Sequence, residues 1–294
     1  MTKNLDLRGA AFALLLSALW GGNPVAIKIG LLDAPPLRLG WMRFALGGLS
    51  ILLWAWWTGG LASWRIERSE RRPLAFLGFL FTLQIACLNF GTNLTSASHS
   101  VVLINAHAVH TVVLAHFMVP GDRLTPQKLL GTVSGYSGIV VLFAGELGSG
   151  SSTLLGDLLV SVSALLLGER IVYLARAVQR IDPIKLLLSQ AFIGSVSLAV
   201  ASLWLEAGTP YRWTPSLAVA LFYQGVVVAG FAFGASLWLL KHYQPSALAG
   251  FSLTSPIFGI LLSAFFMGEP LTGALLLASL LVAIGIGLTS RPSL

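Results

Sequence analysis

The sequence predicts an all-α integral membrane protein of ten transmembrane helices, built as two inverted five-helix repeats around a central cavity. Three observations carry this reading. The 294 residues are 56% hydrophobic and only 10% charged, with a mean hydropathy of +0.84. Apolar stretches of bilayer-crossing length follow one another with short connections. A shift of 147 residues, half the chain, brings the second half into register with the first.

Composition comes first. A soluble domain carries about 25% charged residues, and 18 Lys+Arg with 11 Asp+Glu cannot make a polar skin for a chain this long. A water-soluble enzyme is excluded. Disorder is excluded too, because it requires low hydrophobicity. Cys87 is the single cysteine, so no intramolecular disulfide forms.

A helix needs roughly 20 apolar residues to cross a bilayer. Ten such stretches lie at about 9–29, 37–58, 74–94, 98–118, 125–144, 154–178, 183–205, 215–240, 245–267 and 271–289. They are continuously apolar rather than alternating, which argues against a barrel. The first is too long for a cleaved signal peptide and contains Asn23-Pro24. The longest polar connections, 63–73 and 145–153, are too short for a soluble domain. Residues 1–146 and 151–294 are therefore the two halves of one membrane domain.

The net charge of +7 would suggest nucleic acid in a soluble chain. Sorted by alternate loops, 14 of the 18 basic residues fall on one side and three (Lys28, Arg38, Arg212) on the other, with Arg43 inside the second span. Basic loops stay cytoplasmic. The charge thus reports orientation, with both termini cytoplasmic, and not a nucleic-acid partner.

The 147-residue shift places Gly21 on Gly168, Pro36 on Pro183, Gly78 on Gly225, Gly138 on Gly285 and Asp122 on Glu269. Five spans per half is an odd number, so the halves face opposite ways. Inverted repeats let one midplane site open to either face, which points to a transporter.

Leu19-Trp20-Gly21-Gly22-Asn23-Pro24-Val25-Ala26-Ile27-Lys28, Arg43-Phe44 and the twice-occurring Gly-acidic-x-Leu-Thr turn (121–125 and 268–272) resemble the EamA-type drug/metabolite transporters over essentially the whole chain. Within that superfamily the chain is most similar to the YddG-type exporters of aromatic and other amino acids. The resemblance implies a basket of spans 1–4 and 6–9 with spans 5 and 10 as scaffold. It further implies a bacterial inner-membrane location and export of small metabolites. Relatives often carry proline in the middle of span 4. Here that stretch is Asn105-Ala106-His107-Ala108-Val109-His110, while span 9 keeps Pro256.

Polar groups inside hydrocarbon are costly and face a cavity or a partner. His99, His107 and His110 lie within about 80° of one another around span 4, at ~100° per residue. His107 and His110 have three readings: neutral rings bonded to neighbouring helices, protonatable cavity lining, or metal ligands. The last lacks a completing acid or cysteine, so no metal is expected. Glu169 is the one acid within a span core, open to structural pairing or proton coupling; Arg170 beside it can snorkel to the cytoplasm. Arg43, about 9 Å into span 2 at 1.5 Å per residue, attracts a carboxylate or bonds backbone carbonyls, and Gln190 is its repeat partner. Trp20, Asn23, Gln84, Asn105, Tyr173, Gln224, Ser252, Thr254 and Ser255 complete the candidate lining, whose aromatic and amide character suits amphipathic zwitterions. Trp54, Trp56, Trp57 and Trp64 read as an interfacial belt.

Pro24 after Gly21-Gly22 kinks span 1, and Pro256 interrupts span 9, so Gly22, Pro24 and Pro256 are candidate gating positions. Gly131-xxx-Gly135 and Gly230-xxx-Gly234 read as helix packing. The expected protein is a monomeric secondary exporter of amino acids working by alternating access, with the bilayer and a small-molecule substrate as partners and no cofactor. An importer or drug permease of the same fold is the alternative. An intramembrane serine hydrolase using Ser252 is a distant one, since Leu253 stands where a glycine is expected. No P-loop is present.

Overall fold

A computed structural model describes residues 6–58, 65–118, 124–146, 153–242, 251 and 254–290. Ser252, Trp64 and the first acidic turn at Gly121-Asp122-Arg123 lie outside them. The described residues form helices and turns, with no strand among them. In chain order the helices are α1 (Leu7–Gly30), α2 (Pro36–Trp57), α3 (Arg71–Leu94), α4 (Ala97–Asn105), α5 (His107–Met118), α6 (Pro126–Glu146), α7 (Thr153–Ala177), α8 (Pro183–Leu205) and α9 (Pro215–Phe222). A π-helical segment, Tyr223–Ala232, leads into α10 (Phe233–His242), followed by α11 (Ser255–Met267) and α12 (Gly273–Ser290).

Helix starts follow local chemistry. Proline opens α2, α6, α8 and α9, where its missing N–H costs nothing. Side-chain oxygens cap other first turns: Asp6 accepts from Gly9 N–H at 2.7 Å, and Thr214 from Leu217 N–H at 3.1 Å. Gly268, at φ 67°, ends α11 in the left-handed conformation that glycine adopts without penalty.

Among the described residues, seven helices or joined helix pairs are long and apolar enough to cross a membrane: 7–31, 36–57, 71–94, 97–118, 153–177, 183–205 and 215–236. They coincide with the first four stretches and with the sixth, seventh and eighth. The protein is a multi-pass membrane protein. α11 and most of α12 are apolar but shorter.

The closest helix partners lie in opposite halves of the chain: α6 against α12, α3 against α7, α2 against α8, and α1 against α11. A turn of a few residues constrains only helix ends, whereas small residues set which faces meet. On α6 and α12 a Cβ on Gly131 would lie 2.8 Å from Gly285 O, and one on Gly138 would lie 2.7 Å from Ala278 O. These contacts exchange under the 147-residue shift. Ser134 Oγ donates to Leu281 O at 2.9 Å, and those residues are themselves 147 apart.

The two ends of the bundle differ. At the end carrying the α1–α2 and α3–α4 turns (the turn face), three second-half carboxylates grip first-half helix termini. Glu206 accepts from Leu37 N–H (2.8 Å) and Arg38 N–H (2.9 Å) at the start of α2. Glu269 accepts from Ala97 N–H (2.7 Å) and Ser98 N–H (2.8 Å) at the start of α4. Asp157, fully buried, accepts from Thr95 Oγ1 (2.5 Å) and pairs with His99 Nδ1 (2.9 Å). Carboxylates suit helix N-termini because free N–H groups and the dipole meet them there. Lys28 Nζ completes the face by donating to the carbonyls of Thr92 (2.9 Å) and Thr95 (2.5 Å) at the end of α3. At the opposite end, Lys185 pairs with Glu70 at 3.2 Å and donates to Arg65 O at 2.9 Å.

Burial alone would raise the Glu269 carboxyl. Hydrogen bonds from Ser263, Ser98 and the Ser98 and Ala97 amides outweigh it and hold the group below its ordinary 4.5. A depressed carboxylate contributes stability that is present above its ordinary value and is lost as pH falls through the lowered one. Thermal stability of the purified protein should therefore lose a component below pH ~4.5. Glu269→Gln should lower stability at pH 7 and flatten that acidic limb; an unchanged limb would contradict this account.

Candidate functional site

Polar groups gather where helices are interrupted. Span 4 breaks at Ala106 between α4 and α5 without any proline. The cause is local: Asn105 Nδ2 donates to Val101 O at 2.7 Å, and His107 Nδ1 donates to Ile104 O at 2.9 Å. Side chains that bond the preceding turn's carbonyls compete with the helix ladder. In the second half, α11 starts at Ser255 with Pro256 in its first turn. His107 and Ser255 start their helices 148 positions apart, one off the repeat shift.

Span 8 carries a second irregularity, the π-helical segment 223–232, a form that is rare and frequent at functional sites. Tyr223 Oη donates to Leu19 O at 2.7 Å, and Gln224 Nε2 donates to Ala26 O at 3.0 Å. Both carbonyls flank Pro24, which lies buried inside α1. The π-helical segment thus ties span 8 to the Pro24 stretch of span 1, where Gly22 faces the Tyr223 hydroxyl.

Two arginines occupy the interior, each joined to a glutamine. Arg43, 3% exposed, donates from Nη1 to Gln224 Oε1 at 3.0 Å. The expected bond to backbone carbonyls is replaced by this amide, which the π segment carries into reach. Arg170 donates from Nη1 to Gln190 Oε1 at 2.9 Å and lies 5.0 Å from the centre of the Phe81 ring. It does not snorkel toward water: Gln190, on the next helix, holds it inside. Phe81 packs on Phe44 (4.5 Å between ring centres), whose other neighbour is Arg43 at 4.5 Å. An Arg–Phe–Phe–Arg chain, with the two rings edge to face, therefore links spans 2, 3 and 6. Both Nε atoms are buried without a partner.

The remaining candidates are placed as follows. Gln84, 2% exposed, is sealed between α3 and α7, donating to Ser163 Oγ at 3.0 Å while that hydroxyl donates back to Gln84 O. His110 meets Tyr136 Oη through Nδ1 at 2.8 Å, tying α5 to α6. Tyr173 packs against Phe76 with the rings tilted and their centres 4.8 Å apart. Thr254 Oγ1 donates to Phe251 O at 2.7 Å. Trp20 is 39% exposed; Asn23 and Glu169 are half-buried, and Pro256 is buried. Among the described residues no group of three His, Cys, Asp or Glu side chains could hold a metal ion. Arg170 as a site group, and Asp157 and Glu206 as ties at the turn face, escaped sequence reading. Arg170 had a usable signal: it is the repeat partner of Asn23.

A cavity of about 1210 Å³ opens away from the turn face, lined by Arg8, Phe12, Trp54, Asp182, Phe231 and Trp238 among others. It lies between α1, α2, α8 and the π segment with α10. None of the lining residues predicted from sequence borders it.

A multi-pass helical bundle with interrupted spans, buried charges and a crevice at one end defines a membrane transporter. The chain belongs to the EamA-like transporter family, which matches residues 7–144 and again residues 154–291, a displacement of 147 at both ends. It is 26% identical over 273 residues to the uncharacterized transporter YoaV of Bacillus subtilis (strain 168), covering 92% of each chain. It is also 26% identical over 297 residues to a protein of Escherichia coli (strain K12) named a probable amino-acid metabolite efflux pump, covering 96% of this chain and 94% of that one. A solved crystal structure, 19% identical, superposes with a TM-score of 0.69 over 96% of this chain and 97% of its own, a likeness of fold alone.

Proposed function

We propose that this protein is a secondary transporter that exports small amino acids and related metabolites, aromatic or broad in range, from the cytoplasm. The observation that carries this reading is the break of span 4 between α4 and α5, in a chain whose two halves match the same transporter family model. Discontinuous spans in a doubled fold are the usual pointer to a transport site. The efflux-pump relative supports the substrate class and direction.

In this reading ten spans form two inverted halves in the bacterial inner membrane, working as a monomer. The turn face is extracytoplasmic, both termini are cytoplasmic, and the crevice at Arg8 and Asp182 opens to the cytoplasm. Three second-half carboxylates close the outer end while the inner end stands open, as an exporter awaiting cargo requires. Trp20, Asn23, Tyr173 and Thr254 face the substrate, with Gln84, His110 and Glu169 setting the polarity behind them. Gly22, Pro24 and Pro256 are the flexing points.

Purified protein in liposomes loaded with a labelled amino-acid mixture tests this. Saturable release of at least one amino acid, absent from empty liposomes, is the expected result. Release of none, or uptake without release, removes the assignment.

A further inference from the structure

We propose that the substrate is recognised as a zwitterion, its carboxylate held by Arg170 and its ammonium held at the span 4 break by Asn105 and His107. The proposal rests on the amino-acid reading above and assigns which protein group meets which end of the substrate.

Hydrogen-bond polarity carries the assignment. A backbone carbonyl only accepts. His107 Nδ1, bonded to Ile104 O, therefore carries the hydrogen, and in the neutral ring Nε2 is left as an acceptor. By the same logic Asn105 turns its amide nitrogen to Val101 O and leaves Oδ1 as an acceptor. Neither atom has a protein partner among the described residues, and neither is a sealed buried atom. The break in span 4 thus presents two unpaired acceptors, His107 Nε2 and Asn105 Oδ1, beside the second N–H of the Asn105 amide.

Arg170 presents the opposite polarity. One of its five N–H groups is used, by Gln190. The pairs between basic and acidic side chains among the described residues are His99–Asp157, ionic only with a protonated imidazole, and Lys185–Glu70, so no carboxylate pairs with Arg170. Adjacent Glu169 points elsewhere, since consecutive helix residues diverge by about 100°. A charge left inside a bundle with one amide and one aromatic face as its partners is costly unless a carboxylate pairs with it. Arg170 remains part-exposed, whereas Arg43 is sealed at 3%. Arg170 can therefore take a ligand and Arg43 cannot.

The two ends are neighbours. A Cβ on Gly168 would lie 3.3 Å from His107 O and 3.1 Å from Thr111 N, so α7 presses on the first turn of α5 two residues before Arg170. Arg170 is close enough to His107 to interact with it electrostatically. A donor fork on α7 and an acceptor pair at the start of α5, on two helices in contact, match the two ends of an α-amino acid.

The test uses full-length protein in liposomes and whichever amino acid of the labelled mixture moves. Its amide, which lacks the carboxylate, and its deaminated acid, which lacks the ammonium, are compared as competitors. Both should compete at least roughly tenfold more weakly than the parent, the effect of one lost charge-assisted hydrogen bond. In Arg170→Gln the discrimination against the amide should collapse while that against the deaminated acid persists. In His107→Leu the reverse should hold. A ratio of affinities within one variant is unmoved by a loss of folded protein. Movement of amino acids with amide and acid competing as well as the parent, or ratios unchanged in both variants, overturns this assignment and leaves the transport reading standing. No movement of any amino acid overturns both.

Discussion

Gly21→Val should cost the protein its fold, with loss of monodisperse material after solubilisation. Gly21 sits on α1 where α11 crosses it. A Cβ there would meet Ser255 O and lie 2.9 Å from Gly259 N, and both are backbone atoms that no rotamer change can move aside. Across the contact, a Cβ on Gly259 would lie 2.7 Å from Gly21 O. The helices would have to part, and with them the hydrogen bond from Ser17 Oγ to Phe251 O at 2.7 Å. Overpacking a filled interior costs about 1–3 kcal/mol, and a branched side chain against backbone lies at the upper end. In a bilayer no hydrophobic term between helices compensates for lost contact. Gly21→Ala should destabilise measurably. Gly273→Ala, where a Cβ meets nothing within 4 Å, should not. Thermal denaturation followed by size-exclusion chromatography separates the three.

Asp157→Ala should open the turn face. Asp157 is fully buried on α7 and holds both Thr95 and His99 of the first half. Removing one partner of a buried pair costs about 3–5 kcal/mol, and the partial exposure of the His99 side chain brings the expected loss to the lower end. If the pair exists only in the outward-closed state, each 1.4 kcal/mol shifts the closed-to-open ratio tenfold. A cysteine at the buried position Ser100, in a Cys87→Ser background, should then react at least roughly tenfold faster with an impermeant thiol reagent applied at the turn face. Asp157→Asn, which keeps an acceptor for Thr95, should fall between. A drop in thermal stability with no change in reactivity would make the pair a structural tie and not a latch.

These expectations rest on features of unequal visibility. The apolar runs, the prolines that open α2, α6, α8 and α9, and the 147-residue register were legible because each is a local or periodic property of the chain. The break in span 4 was not. No proline marks it, and Asn105 and His107 interrupt the helix only by turning their side chains onto backbone carbonyls, a choice that depends on surrounding packing. Pro256, by contrast, marked the first turn of α11. Arg170 read as a snorkelling residue because its acceptor, Gln190, lies on another helix. Asp157, Glu206 and Glu269 each meet partners more than 55 residues away, so their roles at helix termini exist only once the halves assemble. The histidines illustrate the same limit: spaced as neighbours on one helix, His107 and His110 bond in different directions, one to its own backbone and one to Tyr136.

The central claim is that one interior site opens alternately to the two faces. Asn23, half-buried beside Pro24 in α1, reports on it. A cysteine placed there in a Cys87→Ser background is exposed to an impermeant thiol reagent in right-side-out and in inside-out vesicles. The account predicts reaction from both faces, with Asp157→Ala speeding labelling from the turn face and slowing it from the other. Labelling from one face only, unmoved by Asp157→Ala, would contradict it.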